Sequence, residues 1–84
     1  MADVYLGSDG VASDEIVTTY HLRDGELMTT CWGRTSIADP AAAIFDLHVA
    51  AKVSEEMIQH GGDYPGRVFA CRSTIQRIKE HFNL

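Results

Sequence analysis

The sequence predicts an α+β domain of element order βββαβα, a small antiparallel sheet with a long central helix packed on one face and a short C-terminal helix. Three observations predict it. An Asp24-Gly25 dipeptide sits between two β-rich runs, an alanine-rich stretch with helical apolar spacing follows Asp39-Pro40, and 84 residues with a mass of 9.3 kDa suffice for one domain, residues 1–84. A chain of this length buries only somewhat over ~60% of its unfolded surface, so its stability margin is thin.

Asp3 to Leu6 reads as the first strand, and Gly7 to Asp14, rich in Gly, Ser and Asp, as an acidic loop. The hairpin comes next, because Asp-Gly suits the positive φ angles of a type I′ turn. With Asp24 and Gly25 as the loop, Arg23 faces Glu26, His21 faces Met28, Thr19 faces Thr30, Val17 faces Trp32 and Glu15 faces Arg34. That register gathers two opposite-charge pairs on one face. The other face carries Ile16, Thr18, Tyr20 and Leu22 against Leu27, Thr29, Cys31 and Gly33, a mostly apolar surface for a helix to cover.

The central helix has Asp39 as its N-cap, Pro40 at the first helical position and Gly61 as a left-handed stop. Its apolar stripe is Ala43, Ile44, Leu47, Ala50, Ala51, Ser54, Met57 and Ile58, while Phe45, Val49 and Val53 form a second ridge roughly opposite. After a GGDYPG turn, Arg67 to Arg72 reads as a strand with apolar residues on both sides. Ser73 then opens the last helix, with Gln76 as capping-box partner and Ile75, Ile78 and Phe82 on one face.

Composition excludes several classes of function. The formal charge is −5, which disfavours general attraction to nucleic-acid phosphates and favours a basic protein surface as partner. The charge is uneven: residues 64–84 hold Arg67, Arg72, Arg77 and Lys79 against Glu80 alone. No apolar run is long enough for a membrane span, and MADVYLGSDG lacks the basic segment and apolar core of a secretory signal, so a cytoplasmic protein is expected. Cys31 and Cys71 lie in apolar segments, the placement of buried thiols in a reducing compartment.

No spacing names a reaction. His21, His48, His60 and His81 form no HExxH or His-x3-His pattern, and Asp46 and His48 lie 200° apart on a helix at ~100° per residue, too far to share a ligand. There is no GxGxxG, P-loop or GxSxG, so neither catalysis nor a cofactor or metal is expected.

Two surfaces remain. Trp32, Val17, Met28 and His21 lie between the charge pairs of the outer sheet face, an aromatic anchor in a polar rim suited to docking a partner, unless the C-terminal helix folds over that side. Acidic residues Asp14, Glu15, Glu55 and Glu56, with Asp9 and Asp63, suit a partner rich in lysine and arginine. The ridge of Phe45, Val49 and Val53 is expected to mediate self-association as a homodimer.

Four stretches carry a resemblance: Arg23-Asp24-Gly25-Glu26-Leu27-Met28, Gly33-Arg34, the segment from Ser36 through Asp39-Pro40 to Ala43, and Gly61-Gly62-Asp63-Tyr64. Together they resemble the small, acidic, phage-encoded anti-CRISPR proteins of type I systems, which lay out a hairpin, an alanine-rich helix, a glycine turn and one more strand. The likeness covers about Ile16 to Cys71. It implies stoichiometric inhibition, with the protein bound to a Cas surveillance complex or its nuclease in the host cytoplasm, blocking DNA loading or nuclease recruitment. The hairpin–helix–strand order is also similar to HicB-like antitoxins, which neutralise small basic toxins. A third reading, a small RNA-binding domain, would use Arg67, Arg72, Arg77 and Lys79 with Tyr64 and Phe69 as stacking groups.

Overall fold

The computed structural model describes residues 3–10, 18–61 and 65–84. Its elements are β1 (Val4–Ser8), β2 (Thr19–Arg23), β3 (Glu26–Cys31), β4 (Arg34–Ile37), α1 (Pro40–Gln59) and α2 (Pro65–Phe82). The fold is α+β, but its order is ββββαα. The four strands run β1-β2-β3-β4 as an antiparallel meander, and residues of both helices share one core with the inner sheet face.

The predicted hairpin holds to the residue. Thr19 pairs with Thr30, His21 with Met28 and Arg23 with Glu26, closed by Asp24 at φ 53° and Gly25 at φ 82°. Beyond Thr30 the expected register gives way to a second turn of the same kind, with Trp32 at φ 57° and Gly33 at φ 73°. The chain reverses there into β4, where Arg34 pairs with Cys31. Val17 and Glu15 lie outside the described residues. β1 carries a bulge between Tyr5 and Gly7, so Leu6 and Gly7 are both buried.

The capping chemistry of α1 is as expected: the Asp39 carboxylate accepts the Ala42 N–H at 3.0 Å, Pro40 opens the helix, and Gly61 follows it at φ 90°. Ala43, Leu47, Ala51 and Ser54 are its buried residues. Met57 and Ile58, expected in the core stripe, are instead exposed, the last buried residue of α1 being Ser54. Ser54 satisfies its buried hydroxyl by donating to the Ala50 carbonyl at 2.9 Å.

The expected strand at Arg67–Arg72 is the first half of α2, an 18-residue helix nearly as long as α1 rather than a short one. Pro at its first position and the spacing Cys71, Thr74, Ile78 are the helical signals. Ser73 is therefore mid-helix, not a cap. The core joins Leu6, Tyr20, Leu22 and Leu27 of the sheet to Ala43, Leu47 and Ala51 of α1 and to Cys71 and Ile78 of α2. Each large aliphatic among them contributes about 1.5–3 kcal/mol by leaving water.

Side chains of α2 also cap the outer edge of β1. Arg77 Nη1 donates to the Leu6 carbonyl at 3.2 Å, Thr74 Oγ1 to Ser8 at 2.9 Å, and Cys71 Sγ to Asp9 at 3.3 Å. Cys31 and Cys71 are both free thiols.

Candidate protein-binding surface

With both helices on the inner side, neither covers the outer sheet face. Register places Tyr5, His21, Met28 and Ile37 in one row across all four strands, and Ser8, Thr19, Thr30 and Thr35 in another. Tyr5 and Ile37 are largely exposed, while His21 and Met28 are half-buried between them. The Thr30 and Thr35 hydroxyls meet at 2.8 Å in a non-hydrogen-bonded strand pair, where side chains approach most closely.

One corner of the face is charged. Arg23, although opposite Glu26 in the ladder, directs its guanidinium to Asp3 with Nε–Oδ1 and Nη2–Oδ2 distances of 3.3 and 3.1 Å. His21 Nε2 lies 3.4 Å from the same carboxylate. The Arg23 hydrogen bond holds the Asp3 carboxyl below its ordinary pKa, and Asp3 in turn raises that of Arg23.

Trp32 is the outlier. It is 76% exposed and occupies a left-handed turn position that a bulky residue enters only at a cost of about 1–2 kcal/mol. Asn or Asp fits this position better. The alternative to a docking face, a C-terminal helix folded over this side, does not occur, since α2 packs on α1 and β1.

Trp32 follows Cys31, which lines a groove of about 370 Å³ between the inner sheet face and α1. Asp9, Asp39 and Asp46 border this groove, with Thr18, Tyr20 and Thr29 along its wall. Burial raises the Tyr20 pKa, and the charges of Asp46 and Asp9 raise it further. Such a groove suits the cationic head of a lysine or arginine from another molecule. Spacing analysis missed it because Asp9, Asp39 and Asp46 come from three separate parts of the chain.

Of the residues expected to bind a partner, Met28 and His21 belong to the sheet and Trp32 to the turn between β3 and β4, whereas Asp14, Glu15 and Val17 lie outside the described residues. Glu55 and Glu56 are in α1. Glu55 is ion-paired to Arg72, which joins α1 to α2 and holds the Glu55 carboxyl below its ordinary pKa. Phe45, Val49 and Val53 are exposed, and Met57 extends their ridge by one more turn. Sequence reasoning also missed Tyr5 and Ile37, although the alternation in Arg34-Thr35-Ser36-Ile37 was the available signal.

Among the described residues, no group of three or more His, Cys, Asp or Glu is placed to hold a metal ion, and no helix is long and apolar enough to cross a membrane. No family model, curated protein or solved structure matches the chain.

Proposed function

We propose that the chain is a non-catalytic binding protein that captures a basic protein surface, with Trp32 as anchor and the Asp9, Asp39 and Asp46 groove as the site for a cationic side chain. The observation that carries this reading is the exposed Trp32 in a left-handed turn. A fold that keeps a costly residue where asparagine would be more stable has exchanged stability for contact. The acid excess of the chain favours encounter with a basic partner in the same direction.

The sequence resemblance places type I Cas surveillance complexes and their nuclease first among such partners, because their DNA channels are basic. Acting as an anti-CRISPR in the host cytoplasm, the protein would occupy that channel or the nuclease docking face. The resemblance now rests on the hairpin and α1, since the stretch matched to a final strand is α2. The HicB-like reading depended on that same strand and loses its support with it. The RNA-binding reading loses two of its cations: Arg72 is engaged with Glu55 and Arg77 with the Leu6 carbonyl.

Titration of a purified type I Cas surveillance complex and its nuclease with this protein tests the proposal. Saturable binding is expected, weakened at least tenfold by Trp32→Asn and by Asp46→Asn in variants that retain the wild-type circular dichroism. Equal affinity of both variants would remove the proposed surface, and no binding to either target would remove the anti-CRISPR reading.

A further inference from the structure

We infer that two copies of the chain pair antiparallel along β4, joining their four-stranded sheets into one continuous sheet about a twofold axis at Ser36. This goes beyond the partner-binding role of Trp32 and uses a different feature, the free edge of the sheet.

The two sheet edges are treated differently. That of β1 is capped at two places, the Leu6 and Ser8 carbonyls being taken by Arg77 and Thr74 of α2. That of β4 has no strand paired to it among the described residues, and all four of its residues are exposed. Of the usual guards against strand addition it has shortness and one charge, Arg34, but no proline, lysine or bulge.

The direction of its free backbone groups follows from the ladder. Ala38 N–H donates inward to the Leu27 carbonyl at 2.9 Å, so antiparallel alternation turns Ser36 and Arg34 inward and leaves the N–H and C=O of Thr35 and Ile37 facing out. These two residues flank Ser36 symmetrically. A second copy related by a twofold axis at Ser36 sets Thr35 opposite Ile37 on both sides, and all the outward groups of both strands are then satisfied.

Charge favours a second copy over an unrelated strand. In this register Arg34 stands opposite Ala38 and beside Asp39 of the second copy, and the reverse pair forms across the axis. The seam of a chain with formal charge −5 thus meets in opposite-sign pairs. Because the twofold contact uses β4 of both copies, and α2 caps part of β1, pairing stops at two copies rather than continuing as a fibre.

Ser36 faces itself across the axis in a non-hydrogen-bonded pair, the closest approach of side chains in an antiparallel ladder. Ser36→Glu and Ser36→Arg therefore each set like charges against each other in the dimer and against water in the monomer. Sedimentation of the wild-type protein from micromolar to millimolar concentration is expected to reach twice 9.3 kDa. Each variant alone is expected to stay at the single-chain mass, and an equal mixture of the two to recover the doubled mass. Should either variant fail to fold, hydrogen exchange of the wild-type protein decides, with the Thr35 and Ile37 amides expected to slow at least tenfold on concentration. A wild-type mass of one chain throughout, dimers unaffected by Ser36→Glu but abolished by Val49→Glu, or concentration-independent exchange at both amides would each overturn the inference.

Discussion

Gly7 and Thr74 are in such close approach that a methyl group added to Gly7 would lie 2.1 Å from Thr74 Oγ1. The backbone of Gly7 also has φ 142°, a conformation that other residues seldom adopt. The contact brings β1 near enough for Thr74 to donate to the Ser8 carbonyl, with the Ala70 carbonyl sharing the same proton at 2.8 Å.

Gly7→Ala is accordingly expected to destabilise the fold by about 2 kcal/mol or more, the combined effect of backbone strain and overpacking. Urea unfolding gives the value. Thr74→Ala in the same chain relieves the steric part, so the double variant should lose less than the two single losses together.

Trp32→Asn is expected to raise stability by about 0.5–1 kcal/mol, since Asn-Gly is the preferred type I′ pair. A thermal melt measures it. Because Trp32 is the one tryptophan in the chain, its emission should also report a water-exposed indole in the wild-type protein, readily quenched by iodide. A blue-shifted, unquenchable emission would mean that the indole is covered.

Acid should weaken the helix pair. The folded-state pKa of Glu55 lies below its ordinary value of 4.5 because Arg72 hydrogen-bonds the carboxylate. Its contribution is therefore present above the unfolded pKa and is lost as pH falls through the folded one. Both groups are solvent-exposed, so the effect is small. The urea midpoint should fall below pH 4.5, and Arg72→Ala should flatten that limb.

The two thiols should differ in reactivity. Cys71 is fully buried, donates to the Asp9 carbonyl, and has its pKa raised by burial and then by the Asp9 charge, whereas Cys31 is only half-buried. A chromogenic disulfide reagent should modify Cys31 under native conditions and Cys71 only after unfolding. For Cys71 the raised folded pKa has the opposite sign to Glu55: its contribution is complete below the unfolded pKa and declines as pH rises through the folded value, so stability should fall above about pH 9.

How legible the fold was depended on whether local chemistry was unambiguous. Asp24-Gly25 fixed a turn and hence a register, and Asp39-Pro40 with Gly61 fixed both ends of α1. Trp32-Gly33 forms the same kind of turn as Asp24-Gly25, but tryptophan has no preference for that conformation, and β4 went unread. Val68-Phe69-Ala70-Cys71 is apolar on every side and fits a strand or a helix equally well. Pro65 and the helical spacing from Cys71 to Ile78 decide for the helix. Met28 and His21 were legible as neighbours on the outer face because the hairpin register held there, whereas Trp32 was placed by that register in a strand and occupies a turn instead. The groove was not, since only tertiary packing brings Asp9 near Asp46.

The hydrogen bonds from α2 to β1 and the loop after it span 62 to 71 residues of sequence. A strand emerging early from the ribosome thus waits, its rim bare, for a helix translated long afterwards. The meander's hairpins can form as they appear, but its first rung is sealed only when α2 has left the exit tunnel. Until that moment the nascent protein offers the cell two sticky borders instead of one, which makes the synthesis of α2 the step at which chaperones can let go.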